Sequence, residues 1–495
     1  MPLNVLVTGA TGYIGGRLVP RLLADGHAVR ALTRSASRLR DVPWSDRVQV
    51  VQGDVLVAED VRAAFEGVEV AYYLVHSIGS GQSFEDTDRQ AATVFAAAAR
   101  AAGVQRIVYL GGLTPAGEEL SPHLRSRSEV GDILLASGVP TAVLQAAVII
   151  GSGSASFEML RYLTERLPAM ITPRWVRTRI QPIAVRDVLR YLAGCATLSA
   201  DVNRRFDIGG PEVLTYVEMM QRYAAAAGLR RRIIVPVPLL SPKLSAHWVN
   251  VVTPVPGAIA KPLVRSLINE VVCRERDIAA YVPDPPEGLF GFDESVRLAL
   301  QRVREAQVET RWSSATWPGA PSDPLPTDPH WAGGSLYTDL RRSIVHAPPA
   351  ALWRVIEGIG GENGWYSLPI AWAARGLMDR LVGGVGLRRG RRDRNRLYIG
   401  ETVDFWRVEE VVPGSLLRLR AEMRLPGAAW LELSVLETAA GTEYVQRALF
   451  HPRGLAGHAY WWSVAPFHGI VFGSMVRNIR AAAEAAAPVA DRVAS

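Results

Sequence analysis

The chain has 495 residues, a formal net charge of +7, 48% hydrophobic residues and 21% charged residues. That balance excludes wholesale disorder, and the length predicts about three folding units. Two cysteines, Cys195 and Cys273, exclude a disulfide framework and suit a reducing compartment. Arginine supplies 53 of the 55 basic residues, lysine standing only at Lys243 and Lys261. With Arg-for-Lys usage throughout, compositional bias explains the basic charge more simply than a nucleic-acid or lipid partner.

Strand-like runs occupy residues 3–8, 28–33, 48–53, 70–75, 106–111 and 141–150, separated by helical stretches at 16–24, 61–65 and 87–102. The first run leaves no room for a cleaved signal peptide, so a cytoplasmic location is expected. Continuous apolar strands alternating with helices predict an α/β fold, a doubly wound parallel sheet covered on both faces. Pro20 falls inside the first helix and predicts a local kink. Residues 151–305 are mixed, with a strand-like FDIGG at 206–210 and helices near 216–227 and 293–307. Residues 311–335 hold five prolines and no hydrophobic period, which marks a linker. Residues 336–485 follow a strand–helix–meander–helix grammar, an α+β pattern in which a curved antiparallel sheet grips the last helix. The chain therefore reads as a domain at 1–310 with a small substrate lobe at about 151–305, the linker at 311–335, a second domain at 336–485 and a tail at 486–495.

The strongest motif is the run of residues 7–15, VTGATGYIG, a GxxGxxG directly after a strand and opening a helix. Gly9 permits the tight turn, Gly12 lets a pyrophosphate approach the backbone, and Gly15 lets helix and strand pack closely. Thr11, Tyr13 and Ile14 complete this dinucleotide cradle. The second strand ends at Thr33-Arg34-Ser35, where an NAD-selective site would want an acid for the ribose 2′-OH. Arg34 and Ser35 fit a 2′-phosphate instead, so NADP(H) is favoured over NAD(H). Asp54 and Val55, after the third strand, are placed to contact adenine, a turn aspartate being the alternative.

TGATGYIG (8–15), GDV (53–55), QPIAVRDV (181–188) and FDIGGPEVLTY (206–216) together resemble the short-chain dehydrogenase/reductase superfamily in its extended or atypical branch, which includes NmrA-like proteins. The resemblance covers about residues 3–305 and implies a Rossmann fold. Residues 336–485 are similar to a domain of uncharacterised function often fused to such reductases, itself resembling the START/polyketide-cyclase helix-grip fold, which implies an apolar ligand. The family's ordinary chemistry implies a Tyr-x-x-x-Lys pair. No lysine precedes residue 243, so that dyad is absent by inventory.

Candidate replacements are histidines. His123 and Arg127 share a helical face, and a histidine can exchange protons at neutral pH while Arg127 biases it towards the neutral form. The alternative is an exposed first-turn residue. His76 is the rival, at the carboxyl end of the fourth strand; Val75, His76 and Gly111 lie where strand ends meet the cofactor path. Tyr72 and Tyr73 alternate to opposite sides of a strand and read as core. Ser154, Phe157 and Glu158, after the sixth strand, face substrate or pack a helix.

Arg388–Arg396 holds six arginines in nine residues, either an anionic headgroup site at a membrane surface or a solvated loop. No specific nucleic acid is expected. From Gly454 to Val476 the chain is uncharged and aromatic, expected as a loop and helix start lining an apolar cavity, with contact at a membrane surface as the alternative. Trp248–Val264 is expected to cover the substrate cleft or a domain interface. No histidines stand at metal-ligand spacing, so no metal is expected. These readings converge on an NADP(H)-preferring oxidoreductase for a hydrophobic carbonyl, alkene or lipid-like substrate. A non-catalytic NAD(P)H sensor or assembly factor and a nucleotide-sugar epimerase-like enzyme stay open beside it.

Overall fold

The computed structural model describes residues 2–40, 42–76, 84–115, 120–237, 252–253, 255–266, 269–307, 335–361, 364–367, 397–423, 425–438 and 441–486. The linker, the arginine-rich segment 388–396 and the tail fall essentially outside the described residues. The chain divides into two compact units, Met1–Gly334 and Ser335–Ser495.

In the first unit, β1 (Asn4–Thr8), α1 (Tyr13–Ala24), β2 (Ala28–Thr33), β3 (Gln49–Gln52), α2 (Ala58–Ala64), β4 (Val70–Tyr73), α3 (Phe84–Ala101), β5 (Arg106–Gly112), α4 (Pro122–Leu135) and β6 (Thr141–Ala146) succeed one another. The sheet has seven strands, all parallel, in the order Arg204–Ile208, β6, β5, β4, β1, β2, β3. Every residue of β4 and β6 is buried, as continuous apolar runs demand when helices cover both faces. Alternation sends Tyr72 to the face shared with Leu18, Leu22 and Leu189, and Tyr73 to the face shared with Phe95 and Leu134. α1 runs unbroken past Pro20, because Leu18 and Leu22 on either side are fully buried.

Two expectations need correction. The run 141–150 is not one strand: β6 stops at Ala146, and Ile149–Ile150 pairs with Ile183–Ala184 in a separate small sheet. The FDIGG strand does not belong to a substrate lobe; Arg204–Ile208 pairs with β6 as the edge of the main sheet. Alternating apolar residues fix a strand's face, whereas its partner depends on the crossover.

Beyond β6, α5 (Ala155–Arg166) carries Met159 into a small apolar cluster with Val255, Ala260 and Val264. The helix Gly257–Ser266, which contributes the last two, lies against both α4 and α5. The described part of Trp248–Val264 thus packs over the two helices that follow β5 and β6.

The second unit holds a six-stranded antiparallel sheet in the order Tyr337–Val345, Gly441–Pro452, Gly427–Thr438, Leu416–Ala421, Trp406–Val412, Thr402–Val403. Leu417, Leu419, Leu431, Leu433 and Tyr444 on one face pack with the helices Pro349–Glu357 and Gly454–Ala486. On the other face, one register row reads Glu410, Arg418, Glu432, Arg447 across four neighbouring strands. Arg418 is 1% exposed and bonds both Glu410 and Glu432, the latter at 2.8 Å; Glu432 also accepts from Arg447. Removing one member of a buried ion network costs about 3–5 kcal/mol, because the partner charges stay buried. Arg418→Ala is therefore expected to lower the urea midpoint measured by near-ultraviolet circular dichroism. The triple variant Glu410→Gln, Arg418→Met, Glu432→Gln should recover most of that loss.

Candidate functional site

The carboxyl end of β1 is clipped to that of β4 by one hydroxyl. Thr8 Oγ1 donates to the Tyr72 carbonyl at 2.9 Å and accepts from the Leu74 amide at 3.2 Å. The next residue, Gly9, turns with φ +74°, and a Cβ there would stand 2.6 Å from the Leu74 carbonyl. A Cβ on Gly15 would overlap the Gly9 carbonyl, so helix, turn and strand end touch backbone to backbone. α1 begins at Gly12 with no side-chain cap and no acid in its first turn. Its first N–H groups and positive dipole end are left for an anion. Gly12 is exposed, and Thr11, Tyr13 and Ile14 are half-buried around this mouth, which fits a pyrophosphate. Arg17, a buried cation one turn in, was not anticipated; it donates to the Tyr13 carbonyl at 3.2 Å and lies 4.2 Å over the Tyr13 ring.

Arg34 is exposed at the end of β2, and the Ser35 hydroxyl is 2.9 Å from that of Ser37. Asp54 accepts from the Leu56 amide at 3.0 Å, a turn role, while its own amide donates to Asp60 at 2.9 Å. Val55 is half-buried. Val75 packs against the core under α3, and Gly111 is buried at the end of β5, where a Cβ would lie 3.2 Å from the Tyr109 ring.

The two rival histidines are in contact. His76 follows the end of β4, two residues past the carbonyl that meets Gly9. Ser121 caps α4 by accepting from the Leu124 amide at 3.3 Å, and Pro122 opens the helix. That start sets His123 in the first turn, its Nδ1 3.3 Å from His76 Nε2. His123 is 9% exposed, a buried residue rather than a solvated one. Behind His76 stands Asp88 of α3, 3% exposed, with Oδ2 3.0 Å from His76 Nδ1 and 2.9 Å from the Ser126 hydroxyl that donates to it. The Arg127 guanidinium donates to the Leu110 carbonyl and lies 5.3 Å over the Tyr109 ring.

An ionised carboxylate only accepts, so His76 carries its proton on Nδ1 and leaves Nε2 bare. His76 Nε2 then accepts from His123 Nδ1–H, and His123 Nε2 remains an acceptor at the open end of the chain. Burial pushes the His76 pKa down, with Arg127 adding to it and Asp88 opposing. Burial likewise holds His123 well below the ordinary value, helped by His76 and Arg127. Both shifts favour neutral imidazoles.

Asp88 and Ser126 were missed by the sequence reading. The signal for Asp88 was present: it occupies the apolar face of α3 with Ala91, Ala92, Phe95 and Ala99, where an acid is out of place unless paired. Phe157 and Glu158 are corrections. Phe157 is fully buried, its ring 5.9 Å from that of Tyr223, and is a packing residue. Glu158, also fully buried, accepts from the Gly153 amide at 2.8 Å and pairs with Arg161 at 3.3 Å. Ser154 is buried at the N-terminus of α5. In each case helix spacing turned the side chain inward. Among the described residues, no group of three or more His, Cys, Asp or Glu could hold a metal.

Residues 9–149 match the family model described as NAD(P)H-binding. The matched part of the first unit is an NAD(P)H-binding, Rossmann-like fold. Residues 331–475 match a family described as a protein of unknown function, DUF2867. The 3β-hydroxysteroid dehydrogenase/Δ5→4-isomerase of Mycobacterium tuberculosis is 34% identical over 116 residues, 21% of this chain, and the match spans only 30% of that protein. Ceramide reductase of Caulobacter vibrioides is 29% identical over 238 residues, 46% of this chain and 72% of that protein. The Citrobacter sp. triphenylmethane reductase, solved with NADP(H), aligns at 22% identity and a TM-score of 0.48, over 60% of this chain and 99% of that one.

Two outcomes follow. Gly15→Ala should weaken dinucleotide binding at least about tenfold in calorimetry, since the turn must open to admit a methyl. For pH, His76 and His123 have native pKa values below the unfolded value of about 6.5. The unfolded chain then binds more protons as pH falls, so their contribution is present above about 6.5 and is lost below it. A thermal midpoint that drops between pH 7 and 5 in the wild type should drop less in His123→Gln.

Proposed function

We propose that the chain is an NADP(H)-dependent oxidoreductase that reduces a hydrophobic carbonyl or conjugated alkene, with His123 exchanging the proton. The observation that carries this reading is the Asp88–His76–His123 chain standing two residues from the glycine turn, in a protein without the Tyr-x-x-x-Lys pair. The dinucleotide, when bound, supplies the hydride. Backbone amides at the mouth of α1 would hold its pyrophosphate, and Arg34 its 2′-phosphate. His123 Nε2, once protonated, gives its proton to the substrate atom that has become basic. That transfer returns His123 to its neutral Nδ1–H form; Nε2 takes its next proton from solvent, and the Nδ1–H bond to His76, backed by Asp88, steadies the imidazolium while it is charged. The apolar packing of Met159, Val255, Ala260 and Val264 beside α4 supports a substrate with little polarity. The ceramide and hydroxysteroid named for two relatives support a lipid-like one. We read the C-terminal unit as a helix-grip fold, on the strength of a long helix packed across an antiparallel sheet.

The test is NADPH oxidation with a panel of hydrophobic ketones and enones. His123→Gln should lower kcat by about 10²–10⁴-fold, the usual weight of a general acid, with NADPH affinity unchanged. Asp88→Asn should lower kcat at least about tenfold and shift its pH profile, because the amide no longer fixes the His76 tautomer. Full activity in both variants would end the reading. For the cofactor, Arg34→Asp should move preference from NADPH towards NADH in a paired KM comparison; an unchanged ratio would remove Arg34.

A further inference from the structure

The helix Gly454–Ala486 has two unlike faces in its first half. Inward, Gly457, His458, Phe472, Met475 and Val476 are buried. Trp461 stacks on Tyr337 with centroids 4.7 Å apart and on Phe450 at 6.0 Å, and the Tyr337 hydroxyl lies 2.8 Å from His458 Nδ1. Outward, on the opposite side of the helix, Leu455, Trp462, Phe467 and Ile470 are 53%, 70%, 64% and 58% exposed. Of the two readings of this segment, a loop and helix start lining a cavity or a contact at a membrane surface, the first is corrected: the segment is helical throughout and presents these side chains to solvent. The solvent face of a helix is ordinarily charged, yet no Asp, Glu, Lys or Arg stands between Arg453 and Arg477. A contiguous exposed apolar face of this kind marks an interaction surface.

Its chemistry selects the occupant. Exposed arginines bracket the apolar run, Arg453 before it and Arg477 and Arg480 after it, the last two on the outward side. Pro466 has no N–H to give the Trp462 carbonyl, so a polar backbone group sits amid the apolar face. Headgroup depth tolerates that group, with water at hand; hydrocarbon and a dry protein contact do not. No described helix is long and apolar enough to cross a membrane. An aromatic, arginine-flanked helix of this type lies in the interface plane.

We propose that the first half of this helix docks side-on to an anionic bilayer surface. Leu455, Trp462, Phe467 and Ile470 enter the headgroup–acyl boundary, and Arg453, Arg477 and Arg480 meet headgroup phosphates. This inference stands on the second unit alone and survives or fails independently of the proposed reductase chemistry.

The experiment is flotation of the full-length protein with vesicles of phosphatidylcholine alone and of phosphatidylcholine with phosphatidylglycerol. The wild type should float with the anionic vesicles and much less with the neutral ones. Trp462→Ser, Phe467→Ser and Ile470→Ser combined should reduce the partition coefficient at least about tenfold, with circular dichroism unchanged. Arg477→Gln with Arg480→Gln, a milder change, should reduce only the preference for anionic vesicles. Failure of the wild type to float, or equal flotation of the triple variant, overturns the proposal. A wild-type dimer in sedimentation that the triple variant splits, with no vesicle binding by either, assigns the face to a second copy and overturns it as well.

Discussion

The approach of Gly9 to the end of β4 is the contact on which the first unit depends. With the Thr8 hydroxyl bridging Tyr72 and Leu74, it binds three chain segments at one point: the end of a strand, the mouth of a helix and the neighbouring strand's exit. No side chain on Gly9 or Gly15 could be accommodated there without moving backbone. The same contact fixes where the chain leaves β4, and therefore where His76 begins. Glycine turn and histidine pair are adjacent because that turn has no room for a Cβ.

Buried charge in this protein is handled by pairing, in two different ways. Arg418 is locked between two carboxylates in a sheet row, each charge answered by its neighbours on adjacent strands. Such a row is static: every proton has one place to be. Asp88 is answered by a titratable partner, and that partner by a second one. Burial disfavours a charge on either imidazole. The first arrangement stiffens a sheet; the second can move a proton between elements that stay put.

Helix faces tell a parallel story at the other end of the chain. In α3 an acid on an apolar face is answered by a histidine and a serine, whereas in the C-terminal helix apolar residues stand on the solvent face. Both are departures from amphipathic order, and both are legible as departures only once the face is known. Phe157 and Glu158 show the converse. Their position after β6 suggested a ligand, but helix spacing turns them into the interior, where an aromatic ring and a paired acid satisfy ordinary packing.

Local rules in the sequence determined the parallel strand–helix alternation, the glycine turn that opens α1 and the antiparallel second sheet. Hydrophobic period and glycine spacing act within a few residues and need no distant partner. His76 and His123 were each visible as candidates, and they looked like competitors. Only the tertiary structure decided that they are successive members of one chain, with Asp88 behind them. Those three residues come from a strand end and two helices, and sequence period says which face a side chain takes but not which faces meet. For the same reason, the pairing of Arg204–Ile208 with β6 and the outward face of the last helix emerged only from packing. Crossovers and layer contacts are long-range choices, settled by what the whole core can bury.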